Sequence, residues 1–154
     1  MKTSRAFWDT SAIVPLCCHQ DASHQLRQLR LRRPNVAVWW GMMVEARSAM
    51  ARLMNEGKMS MTGLQQAVAR LEAQRSSWLE VAPSDKVRNF AAEMPEQYGL
   101  RALDSFQLAA ALVWCRERPR GRLFVCCDVV LVNAAVGEVS ISIHEESLRA
   151  DTKI

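Results

Sequence analysis

Short apolar runs alternate with helix-period segments along the chain, and this alternation restricts the fold more than any other feature. Arg5–Trp8, Val36–Trp39, Trp78–Val81 and Leu123–Cys126 read as strands, each short, apolar and bounded by polar or turn residues. Between them the apolar residues recur at helical spacing. After the first strand a helical stretch is expected to break near Pro15 and to resume from Ser23 to Arg32, before the turn at Arg33-Pro34-Asn35. Gly41–Asn55 carries Met43, Ala46, Met50 and Leu53 on one stripe and stops at Gly57. Ser60–Gln74 is a further helix with Ser60 placed to cap it, and Ser84–Glu93 is a shorter one. Met94-Pro95 and Tyr98-Gly99 read as a loop, Leu103–Arg118 as a strongly apolar helix, and Asp128–Ala135 as a last short helix. Val139–Ile143 alternates and reads as a late edge strand. Strands that alternate with helices predict a parallel sheet covered on both faces, an α/β fold. No repeat or linker interrupts the pattern, so one domain over residues 1–154 is expected.

Composition excludes several classes. Apolar residues make up 49% of the 154 and charged residues 23%, the balance of a chain with a packed core rather than a disordered one. The longest strongly apolar stretch, Leu108–Cys115, falls far short of the about 20 residues that span a bilayer, so no membrane role is expected. Asp9 interrupts the apolar stretch behind Lys2 and Arg5, which argues against a secretory signal. The cysteines stand as Cys17-Cys18, Cys115 and Cys126-Cys127, an odd number without Cys-x-x-Cys spacing. Neither a disulfide framework nor a zinc site follows, and buried free thiols in the cytoplasm are expected. The formal charge of +4 leans mildly toward a polyanionic partner.

Four acids stand out because each opens or closes an apolar element: Asp9, Glu45, Asp104 and Asp128. Each has an ordinary explanation. Asp9 and Asp128 are well placed as helix N-caps, and Glu45 suits the first turns of a helix. Asp104 starts an apolar stripe with Leu108, Ala111 and Cys115, and its own helix start or Arg101 could satisfy it. Jointly they say more. Asp9 and Asp128 end two strands of one parallel sheet and therefore reach the same edge, where open α/β sheets build ligand sites. Helices that follow strands begin at that edge too, which brings Glu45 and Asp104 to the same crevice. Crowded carboxylates repel unless a cation neutralises them, and an all-oxygen set suits Mg²⁺ or Mn²⁺.

These residues resemble a known family. Phe7-Trp8-Asp9-Thr10-Ser11-Ala12-Ile13-Val14 is similar to the opening motif of PIN-domain ribonucleases, and more narrowly of VapC-type toxins from bacterial toxin–antitoxin pairs. Val44–Arg52 resembles their second motif, Leu100–Leu112 the third, and Phe124–Asp128 with Leu131 and Ala134-Ala135 the fourth. The resemblance runs from about Arg5 to Ile143, with the motifs in order. It implies a three-layer α/β/α sandwich on a parallel sheet, a divalent-metal site and cleavage of single-stranded RNA. Asp9, Glu45, Asp104 and Asp128 fall on the family's acidic quartet, and Thr10 or Ser11 falls where a hydroxyl orders the site. Cys126-Cys127 departs from the pattern, standing where a small hydroxyl residue commonly precedes the fourth acid. The resemblance further implies a small antitoxin that plugs the crevice, and a homodimer.

The expected chemistry is metal-assisted hydrolysis of a phosphodiester, with Asp9 and Asp104 as main ligands, Glu45 and Asp128 as ligands or water-holders, and Glu45 also as proton acceptor. Arg27, Arg30, Arg32 and Arg33 form one candidate backbone-binding cluster, and Arg116, Arg118, Arg120 and Arg122 another; each also suits a solvated helix end. Trp39 and Trp40 are candidates for base stacking or for core. Two other readings keep the acids: a non-catalytic module that binds RNA or protein, and a phosphoacceptor domain of the receiver type. The second lacks paired acids near the start and a lysine after a late strand.

Overall fold

The computed structural model describes residues 5–118 and 120–138. Its elements are β1 (Ala6–Trp8), α1 (Thr10–Cys17), α2 (Ser23–Arg32), β2 (Val36–Trp39), α3 (Met42–Asn55), α4 (Met61–Arg75), β3 (Leu79–Val81), α5 (Asp85–Tyr98), α6 (Ala102–Trp114), β4 (Leu123–Val125) and α7 (Val129–Glu138). The strands form one parallel sheet in the order β3-β2-β1-β4. Ala6 pairs with Val36 on one side and Leu123 on the other, so β1 lies at the centre. The expected edge strand at Val139–Ile143 lies outside the described residues.

Period-two alternation divides the strand side chains between two cores. Phe7, Ala37, Trp39 and Phe124 face α5, α6 and α7, where Leu108, Leu112 and Leu131 meet them. Ala6, Trp8, Val36, Val38 and Val125 face α1 to α4, against Ile13, Leu26, Met42, Met50 and Leu71. The result is a three-layer α/β/α sandwich. Strands buried on both faces are apolar throughout, which is why β1 and β2 read as unbroken apolar runs.

Three helix boundaries differ from the expected ones, each for a local reason. Pro15 does not break α1, which continues to Cys17. A proline costs the helix one backbone hydrogen bond, but Ala12, Ile13, Val14 and Cys17 are all buried, and that packing offsets the loss. Pro95 likewise lies inside α5, because Val87, Ala91, Met94 and half-buried Tyr98 keep one stripe against the core up to Gly99. Gly99 then ends the helix in the left-handed conformation, with φ of 66°. In contrast α6 stops at Trp114, short of the expected Arg118. The Glu117 amide donates to Leu112 O at 2.9 Å and the Arg116 amide to Val113 O at 3.0 Å. That is a Schellman ending, made here by Arg116 and Glu117 with φ of 53° and 57° and no glycine to signal it.

Gly41, the N-cap of α3, is required for space. A Cβ there would lie 2.6 Å from Trp39 Nε1. The Trp39 ring stacks on Phe106 of α6, with centroids 5.6 Å apart, and has little room to give. Gly41→Ala is therefore expected to destabilise the fold by about 1–3 kcal/mol, as overpacking does. Urea denaturation measures this, and an unchanged midpoint would contradict it.

Candidate active site

The strand order reverses at β1: the chain runs outward through β2 and β3, then returns to β4 on the other side of β1. In open α/β sheets this switch point opens a crevice at the carboxyl ends of the strands. Asp9 follows β1 directly, and its amide continues the ladder by donating to Val125 O at 2.9 Å. Asp128 lies just beyond β4, and α3 and α6 bring Glu45 and Asp104 in their first turns. Glu45 feels the charges of both Asp9 and Asp104, and Asp104 that of Asp128. All four expected acids thus border one crevice, with Asp9 and Asp104 on the same side of the molecule.

Asp9 is buried, at 4% exposure. Its Oδ2 caps α1 by accepting from the Ser11 amide at 3.0 Å, and it also accepts from Ser11 Oγ at 2.5 Å and from the Cys126 thiol at 3.5 Å. Burial raises its pKa above the ordinary carboxylate value, and the hydrogen bonds from Ser11 and Cys126 only partly oppose that. Ser11 Oγ in turn accepts from the Cys127 amide at 2.9 Å, tying the start of α1 to the loop after β4. Cys126 Sγ accepts from the Asp128 amide at 3.3 Å. Cys126 therefore links the Asp9 carboxylate to the backbone amide of Asp128.

Glu45 is half-buried, with its pKa raised first by burial and further by Asp9 and Asp104. Its Oε2 accepts from Thr10 Oγ1 at 3.0 Å and from Gln107 Nε2 at 2.9 Å. Its Oε1 is buried and has no hydrogen-bond partner among the described residues. Of Thr10 and Ser11, expected as alternatives, Thr10 bonds Glu45 and Ser11 bonds Asp9. Asp104 is half-buried at the third position of α6; burial and then Asp128 raise its pKa, while the Arg101 side chain and amide lower it. Asp128 Oδ1 caps α7, accepting from the Val130 amide at 2.9 Å and the Leu131 amide at 3.1 Å. So the ordinary cap explanation holds for Asp9 and Asp128 without removing them from the crevice.

Among the described residues no three His, Cys, Asp or Glu side chains are gathered tightly enough to hold an ion as they stand. Each acid is tethered to its own hydroxyl, amide or helix start. The donor chemistry nevertheless suits a hard divalent cation. The acids offer oxygen only, they repel one another, and the buried Glu45 Oε1 lacks a partner.

The chain topology moves the arginine clusters away from the crevice. Arg27–Arg33 ends α2 just before β2 begins, and Arg116–Arg122 joins the end of α6 to the start of β4. Both lie at the amino edge of the sheet, opposite the acids. Arg30 donates to Pro34 O at 2.8 Å, and the Arg122 guanidinium sits 5.6 Å above the Trp114 ring. They fit the solvated-end reading. The tryptophan pair divides: Trp39 is core, while Trp40 is 56% exposed at the carboxyl end of β2. Val44, Leu103, Val129 and Val130 are exposed beside Glu45, Asp104 and Asp128, so apolar side chains fringe the acidic crevice. No helix among the described residues is long and apolar enough to cross a membrane.

Gln107 escaped the sequence reading, although it is 1% exposed and contacts both Thr10 and Glu45. Its signal was a lone carboxamide inside an apolar helix, one turn after Asp104 and hence on the same face.

No family model and no curated protein matches the sequence. Solved structures match in shape. A toxin–antitoxin complex from Klebsiella pneumoniae aligns with a TM-score of 0.55 and 14% identity over 80% of this chain and 86% of that one. PAE2754 from Pyrobaculum aerophilum aligns with a TM-score of 0.58 and 21% identity over 95% and 87%. VapBC2 from Rickettsia felis, solved with a DNA fragment from its promoter, aligns with a TM-score of 0.59 and 15% identity over 91% and 98%. The chain has the fold of these proteins, a PIN-like α/β/α sandwich, in agreement with the resemblance carried by its motifs.

Proposed function

We propose that this protein is a metal-dependent endoribonuclease and the toxin of a toxin–antitoxin pair. The observation that carries the reading is the acidic crevice itself: Asp9, Glu45 and Asp104 with raised pKa values at the switch point of the sheet, and a buried Glu45 Oε1 without a partner. Perturbed carboxyls converging in a cleft mark a functional site. Asp9, Asp104 and Asp128 would hold Mg²⁺ or Mn²⁺, with Glu45 beside them. The bound cation supplies a lowered water pKa and neutralises charge on the phosphoryl group.

The residues of the chain do the rest. Ser11 and Cys126 hold the Asp9 carboxylate in one orientation, and Thr10 and Gln107 do the same for Glu45. Burial raises the Glu45 pKa, which makes the carboxylate a stronger proton acceptor. Water oxygen attacks phosphorus, its proton passes to Glu45 Oε1, and the bond from phosphorus to O3′ breaks, the leaving O3′ taking a proton from solvent. The products are a 5′-phosphate and a 3′-hydroxyl. Trp40 offers an exposed ring on which an unpaired base stacks.

The matched structure from Klebsiella pneumoniae is a toxin–antitoxin complex, and here a small antitoxin would cover the apolar fringe and set a basic side chain among the acids. Dimerisation rests on the family resemblance. The apolar girth of α6 is accounted for by its burial against the sheet, α5 and α7.

End-labelled single-stranded RNA, incubated with the protein and Mg²⁺ or Mn²⁺, is expected to be cut to 5′-phosphate products, and chelation is expected to stop the reaction. Absence of cleavage across a panel of structured and unstructured RNAs would favour the non-catalytic binding module. Cleavage undiminished by chelator would reject the metal.

A further inference from the structure

Gln107 is buried in α6 one turn after Asp104, with its carboxamide in the crevice, in a helix most of whose buried side chains are apolar. Burying a carboxamide is costly unless its polar atoms are bonded. Here Nε2 donates to Thr10 Oγ1 at 2.8 Å and to Glu45 Oε2 at 2.9 Å. Thr10 spends its single hydroxyl proton on the same Glu45 oxygen at 3.0 Å. The three side chains close a ring in which Thr10 and Gln107 both donate to Glu45 Oε2. The two atoms left over are both buried acceptors, Glu45 Oε1 and Gln107 Oε1. The orientation of the amide follows from its neighbours, since the reversed one would set a carbonyl against a carboxylate.

We propose that Gln107 is a positioning residue: it fixes Glu45 through Oε2, so that Oε1 alone is presented to a divalent cation or its water. This rests on the metal-nuclease reading above and assigns to it a residue outside the acidic quartet. Neutral outer groups that orient a carboxylate typically govern metal affinity or activity by about 10–100-fold.

The test is Mn²⁺ binding by calorimetry on purified wild type, Gln107→Leu, Glu45→Ala and the double variant, with RNA cleavage and thermal melts alongside. Gln107→Leu keeps the side-chain volume and is expected to melt at or above the wild-type temperature in chelator. It is expected to bind Mn²⁺ about 10–100-fold more weakly. In the Glu45→Ala background the same change is expected to have no further effect, because the carboxylate it orients is gone. Wild-type affinity in Gln107→Leu, or an equal loss with and without Glu45, overturns the positioning role and leaves the nuclease reading standing. If the wild type itself binds no Mn²⁺ and cuts no RNA, the nuclease reading falls and takes this inference with it.

Discussion

Asp9→Asn and Asp104→Asn are each expected to lower RNA cleavage by about a hundred- to a thousandfold, the scale on which losing a group that serves transition-state charge acts. Neither is expected to unfold the protein. In Asp9→Asn the amide oxygen can replace Oδ2, which now accepts from the Ser11 amide, Ser11 Oγ and the Cys126 thiol. Asparagine is also as good a helix cap as aspartate. What disappears is a buried negative charge, whose removal relieves Glu45 of one repulsive neighbour. Asp104→Asn relieves both Glu45 and Asp128 in the same way, at the cost of a weak favourable interaction with the start of α6. Melting temperatures in chelator are therefore expected to hold or rise while activity is lost. That pairing separates a site residue from a structural one, because a structural acid would lose stability and activity together. Wild-type cleavage in Mg²⁺ by either variant would end the assignment of that acid.

The sheet and the acids were legible in the sequence because both are local signals. β1 and β2 are buried on both faces, so they read as continuous apolar runs, and Asp9 and Asp128 stand at the abrupt polar ends of β1 and β4. Convergence of the acids followed from parallel topology alone. The errors share a cause: local residue preference was overruled by contacts distant in sequence. Pro15 and Pro95 look like breaks, but the buried stripes of α1 and α5 hold the helix through them. Arg116 and Glu117 look helical, yet both adopt the left-handed conformation so that β4 can begin. The roles of Gln107 and Cys126 depend on pairings across 62 and 117 residues, respectively, with Glu45 and Asp9, which no local window contains. The arginine clusters were legible as clusters, but their distance from the crevice is a property of the sheet edge at which each connection falls.

Stability in chelator is expected to fall as pH rises, and divalent cation is expected to restore it. The reason is the raised pKa of Asp9, Glu45 and Asp104, all three chiefly through burial. Above the ordinary values of 3.8 for aspartate and 4.5 for glutamate, the unfolded chain has released protons that the folded crevice still holds. Folding is then linked to proton uptake, so these acids cost stability increasingly as pH rises through their folded pKa values, and nothing below the unfolded ones. A cation that binds only the folded, ionised crevice acts in the opposite sense. At about 100 times its Kd it adds about 2.7 kcal/mol. For a chain of this size that corresponds to a melting-temperature rise of about 5–11 °C. The rise is expected to be large at pH 8 and small at pH 5, where protons compete for the same oxygens. Other groups titrate over this range, so the informative quantity is the difference between wild type and Asp9→Asn. In that variant both the pH slope in chelator and the Mn²⁺ increment are expected to shrink. Equal slopes and equal increments in the two proteins would mean that the buried carboxylate after β1 neither carries the charge penalty nor holds the ion.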